Sequence, residues 1–175
     1  MAVLAVTMND RTAGLLDLRD GFGGLDPAEG LAAGLRTWVD RGIGFRDEVV
    51  CWAPVPAHAD HAPGPHSDRT GWECFHTVFH LEDFVPVDRT YAEVSIIGVD
   101  AQRTLLRQGI ALAREVGRLA GELSTPIPLR CIVATDNSPP PSAASYLSGR
   151  TDLGPVRRGY RIPRDRTPGL PPAAG

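Results

Sequence analysis

The 175-residue sequence contains no lysine: all 18 of its lysine-plus-arginine residues are arginine. Chemistry that needs a lysine of the chain itself is thereby excluded, whether a Schiff base, a pyridoxal phosphate anchor or a Walker-type phosphate lysine. Cysteine is scarce. Cys51, Cys74 and Cys131 are odd in number, far apart and each in an apolar stretch, so they read as reduced, buried thiols and not as a disulfide frame. No run approaches the ~18–20 apolar residues of a membrane span. The apolar start, MAVLAVTMNDRTAG, is too short for a signal peptide and lacks its basic region. A cytoplasmic protein without a membrane partner is therefore expected. Charge of one sign is also lacking. The 18 arginines face 21 acidic residues, and a net charge of −3 supplies no field to recruit nucleic acid.

Glycine (19) and proline (16) are abundant and concentrate in loops and at the C-terminus. The length suits one domain, since domains commonly run ~100–150 residues. We read a single domain over 1–162 and a Pro/Gly-rich tail over 163–175 that cannot bury enough surface to order itself. The six arginines of 149–175 read as solvated side chains. An all-arginine, Ala/Gly/Pro-rich composition also points to a high-GC bacterial genome.

Along the chain, residues 2–8 and 13–18 are short apolar runs around Asn9-Asp10, which suggests a hairpin. Asp26-Pro27-Ala28-Glu29 has the form of a helix start, with Asp26 as cap, and Leu31, Leu35, Trp38 and Val39 then share one face to about Asp40. Gly42 and Gly44 end that helix. Residues 48–55 read as a strand and 56–71 as a long loop. Strict alternation over 72–82 (WECFHTVFHLE) and 90–99 (TYAEVSIIGV) predicts two strands. Paired antiparallel with like faces together, they set His80 opposite Tyr91 and His76 opposite Ser95, lining a polar cleft. The longest helical pattern is 101–123, with Leu105, Leu112, Val116, Leu119 and Leu123 as its stripe. A buried strand over 128–135 and a short helix over 142–148 follow. The fold class expected is α+β, a mixed and mainly antiparallel sheet flanked by helices. A ferredoxin-like α/β sandwich fits 1–135 almost as well.

All five histidines fall between His58 and His80. Two of them, His76 and His80, would stand ~13 Å apart on one strand, from ~3.3 Å per residue. That is too far for one ion, whose ligands lie ~2 Å from it, and no metal is expected.

The segment 90–115 combines a strand ending in IIGVD, the glycine-containing Arg107-Gln108-Gly109-Ile110-Ala111 and a long helix. With VATDNSPPPSAASYL further on, it resembles the GNAT acyltransferases. In that superfamily a strand is followed by an R/Q-x-x-G-x-G/A turn whose amides hold the pyrophosphate of acyl-CoA. The similarity covers about 48–150, and its specific motifs lie within 90–148. Leu106 stands where that motif begins, Ala111 replaces its second glycine, two extra residues separate Val99 from the turn, and Gly109 also reads as a tolerated glycine inside an amphipathic helix that begins at Asp100. The resemblance implies acetyl-CoA or another acyl-CoA as cofactor, bound by Val99, Arg107–Ala111 and Asn137. It also implies Glu93 as base and Tyr146 as acid in acyl transfer to a small-molecule amine, or from a carrier protein. A homodimer is compatible with it. The alternative is a non-catalytic α+β binding or assembly protein that uses the 72–99 face as its contact surface.

Overall fold

A computed structural model describes residues 8–18, 25–53, 59–87, 89–91, 95–136 and 142–148. It is α+β, with four helices and short antiparallel ladders.

The first helix, α1, spans Asp10–Leu16. It replaces the second half of the expected hairpin, and 2–7 lie outside the described residues. The reason is local: Asn9 accepts a hydrogen bond from the Thr12 N–H at 2.8 Å, and this cap starts a helix in place of a turn between strands. Next comes α2, Ala33–Arg41, which begins six residues later than its sequence pattern suggests. Asp26 does not cap it. That carboxylate pairs with Arg114, Leu25 is buried beside Leu106 and Ile110, and 27–30 close a turn in which Gly30 adopts φ +74°. The left-handed glycine breaks the helical path before Ala33. Gly42 ends α2 as expected.

Two strands, β1 (Ile43–Arg46) and β2 (Val49–Trp52), form a hairpin with Arg46 opposite Val49. Its two loop residues, Asp47 and Glu48, both take positive φ, 52° and 63°. That is the turn geometry whose twist matches a tight hairpin. The strand expected over 72–82 is overturned. Residues Arg69–Thr77 are a helix, α3, and only Phe79–His80 form a strand, β3. The expected strand over 90–99 is likewise divided: β4 (Arg89–Tyr91) and β5 (Ser95–Ile97) pair with each other. The long helix stands. It is α4, Val99–Glu122, followed by β6, Arg130–Asp136. Residues 142–148 are a strand, β7, and not a short helix, because they pair with β6 along its whole length, from Arg130 opposite Ser148 to Asp136 opposite Ser142. Seven paired residues outweigh the helical preference of a few alanines.

Strand β7 lies between β3 and β6, and every ladder among the described residues is antiparallel. The main core gathers Leu105, Leu112 and Val116 of α4, Leu35 and Val39 of α2, and Trp52, Phe79 and Leu81. Trp38, Trp52 and Phe79 meet at ring separations of 5.1–5.9 Å. A smaller cluster of Val49, Cys51, Ala59 and Trp72 anchors α3 and its preceding loop to the β1–β2 hairpin.

Candidate functional site

The start of α3 follows from its cap. Asp68, in extended backbone, accepts the Gly71 N–H at 2.7 Å. The buried face of the helix is polar in sequence: Thr70, Glu73 and Thr77 recur at helical spacing and are all buried, together with Trp72. Two of these polar groups are hydrogen-bonded within the fold. The Glu73 carboxylate accepts the Val50 N–H at 2.8 Å, tying α3 to β2, and the Thr77 hydroxyl donates to the Glu73 carbonyl at 2.7 Å. Arg69 adds an ion pair to Glu48 at 2.9 Å, which fastens the first turn of the helix to the hairpin loop.

On its other side α3 and the preceding loop border an open pocket of about 510 Å³, a volume in the ~300–1,000 Å³ range of small-molecule sites. Its walls are the rings of His61, His66, Trp72, Phe75 and His76, with Gly64 and Pro65 completing the lining. Trp72 and His76 lie 4.2 Å apart at 35°. His66 is 5.0 Å from Phe75 and 5.7 Å from His76, and Phe75 is 5.2 Å from His76. The two tryptophan and phenylalanine walls differ sharply in exposure: Trp72 is 2% exposed and Phe75 63%. Beside the cavity, His61 Nδ1 and Asp60 Oδ1 are 2.8 Å apart, and this hydrogen bond holds the Asp60 carboxyl below the usual carboxylate range. Among the described residues no group of three histidine, cysteine, aspartate or glutamate side chains could hold a metal ion.

The residues singled out in the sequence are dispersed. His76 lines the cavity, but from a helix. His80 stands on β3 opposite Ala144, with Glu82 at 3.8 Å, and Tyr91 stands opposite Ser95 on β4. The expected pairings of His80 with Tyr91 and of His76 with Ser95 are therefore corrected: an alternating run that folds as a helix has no cross-strand partners. The turn that the resemblance implies at Arg107, Gln108, Gly109, Ile110 and Ala111 is absent, and the helical pattern of 101–123 is what the structure shows there. These residues lie in the interior of α4, where backbone N–H groups serve the carbonyls one turn back. The Gln108 side chain bridges two segments, donating to the Gly30 carbonyl at 3.0 Å and accepting the Ala32 N–H at 2.9 Å. Val99 is the first residue of α4, and Asp100 occupies that helix's first turn, so a carboxylate already meets its positive end. Three of the four arginines of α4 are engaged within the fold: Arg103 donates to the Leu15 carbonyl, Arg114 pairs with Asp26, and Arg118 pairs with Glu115 and Glu122, whereas the buried Nε of Arg107 has no hydrogen-bond partner among the described residues. Tyr146 is on β7 opposite Ile132. Glu93 and Asn137 lie outside the described residues, as do His58 and the arginines of 149–175.

Sequence reasoning missed His61, His66, Trp72 and Phe75 as one site. The signal that could have found them is Asp68, a capping residue four positions before Trp72, followed by Phe75 and His76 at one-turn spacing. The chain matches no protein-family model, no curated protein and no solved structure. No helix among the described residues is long and apolar enough to cross a membrane.

Proposed function

We propose that the protein is a non-catalytic α+β binding module and that the ring-lined cavity on α3 is its site. The observation that carries this reading is Phe75. This phenylalanine, 63% exposed, does not stand singly: it lines the pocket together with the rings of His61, His66, Trp72 and His76. The surface is the one at the start of the 72–99 segment, folded as a helix in place of a strand.

Acyl transfer from acyl-CoA, with a GNAT-like arrangement, is the less favoured reading. It rests on the sequence resemblance within 90–148. It would also have to bind pyrophosphate without a turn at 107–111, since those residues are helical.

A panel of small aromatic, cationic and nucleotide fragments, acetyl-CoA included, tests the reading by ligand-observed NMR on the full chain and on Phe75→Ser. Because the side chain is exposed, the substitution should leave the fold intact, as circular dichroism would report. We expect fragments that bind the natural chain and lose their signal in Phe75→Ser, and no saturable binding of acetyl-CoA. Saturable acetyl-CoA binding that Phe75→Ser leaves unchanged would overturn this reading in favour of acyl transfer.

A further inference from the structure

We infer that the α3 cavity takes a compact organic cation of the quaternary or methylated ammonium type. This rests on the reading of the cavity as the protein's binding site.

Two observations select the ligand class. The first is the arrangement of the rings. His76 stands at 78° to Phe75 and at 76° to His66. Walls that cross near a right angle form a corner, not a slot. A flat ligand can stack on one such wall only, whereas a rounded ammonium head meets both at once. Aromatic faces attract cations through the ring quadrupole, and the contact counts for more where water is displaced. Trp72, 35° from His76 and almost fully buried, extends the same surface inward. The cavity is also larger than an ammonium head alone requires, so the ligand can carry a further body.

The second observation is charge. The carboxylate next to the pocket is Asp60, 2.8 Å from the lining His61, while Asp68 caps the start of α3 and Glu73 faces the β1–β2 hairpin; the arginine of this segment is Arg69. That arginine is paired with Glu48 at 2.9 Å. Among the described residues no arginine lines the pocket, and the chain has no lysine to compete for the site. A cation would find a complementary charge in Asp60, and an anion would not.

The test compares choline with 3,3-dimethylbutan-1-ol, which has the same shape and no charge. Both are titrated into the full chain by calorimetry or chemical-shift mapping, alongside indole as a flat aromatic probe. Choline should bind saturably and about tenfold or more tighter than its neutral counterpart, the scale expected of a cation over ring faces. Phe75→Leu keeps an apolar side chain and removes the ring. It should lose about tenfold in choline affinity while leaving the neutral alcohol nearly unchanged. Equal binding of choline and the alcohol, or choline binding untouched by Phe75→Leu, overturns the inference. Indole binding that depends on Phe75, with no binding of choline, overturns the inference and leaves the binding-module reading standing. Failure of all three probes, together with an unresponsive fragment panel, overturns both.

Discussion

Gly109 faces β6 from the buried side of α4. A Cβ built there would come within 2.6 Å of a Val133 methyl carbon and 3.1 Å of a Leu81 one. The residue is present so that helix and strand can approach, which is a packing role and not a phosphate-binding one. Gly109→Ala should therefore destabilise by about 1–3 kcal/mol through overpacking, despite the better helix propensity of alanine. Urea denaturation checks it, and a stabilised variant would contradict the close approach. The thiols make a second residue-scale prediction. Burial pushes Cys51 and Cys131 up to about 11 from the ordinary value of 9.0, with the Glu73 carboxylate adding to the effect on Cys51. A raised folded value means the unfolded chain loses its proton first as the pH rises. The stability tied to these thiols is thus complete below about pH 9 and is lost as the pH climbs towards 11. For the buried Cys51 the loss is on the order of 2 kcal/mol by the top of that window. Urea midpoints at about pH 8 and pH 10.5 should differ, and less so in Cys51→Ala, which has no thiol to ionise at that position. A pH slope equal in the variant would contradict the burial of Cys51.

At the scale of elements, the β1–β2 hairpin shows a local conflict that its neighbour resolves. Glu48 holds φ 63° without the freedom of glycine, a cost of about 1 kcal/mol or more, while its carboxylate reaches Arg69 on α3. Glu48→Gly should relieve the backbone and raise the melting temperature by a few degrees, since the exposed ion pair it removes contributes little. A fall in melting temperature would show that the link to α3 outweighs the turn. Elements also differ in how far the chain announces them. Helix α4 is legible because Leu105, Leu112 and Val116 recur at helical spacing and all reach the core. Helix α3 is hidden because its buried face is Thr70, Glu73 and Thr77, and the hydrogen bonds of Glu73 and Thr77 leave no mark in a hydrophobic pattern. Apolar residues at 75, 79 and 81 then mimic a strand. The split of 90–99 into β4 and β5 is illegible for another reason. Period-two alternation reads the same whether a strand continues or folds back on itself.

For the whole molecule, α4 organises the packing. It carries α1 through Arg103 and Leu106, α2 through Gln108 and the main core, and β6 through Gly109. The stretch read as a cofactor turn is thus the central structural strut, and the site lies elsewhere, on the short helix attached to the β1–β2 hairpin. The helix is legible in the 101–123 pattern, but the role of its glycine is not. A glycine preceded by arginine and glutamine looks alike in a phosphate-binding turn and in a tightly packed helix, and only the partner surface decides between them. The histidine concentration between 58 and 80 was visible, but its meaning depends on Trp72 and Phe75 sharing a helix with His76. Amide chemical-shift mapping of the full chain with the fragments that bind, and with acetyl-CoA, tests the central claim most directly. The account predicts perturbations concentrated at 61–66 and 72–76, with 107–111 undisturbed. Perturbations centred on 107–111, or none at 72–76 with any ligand, would contradict it.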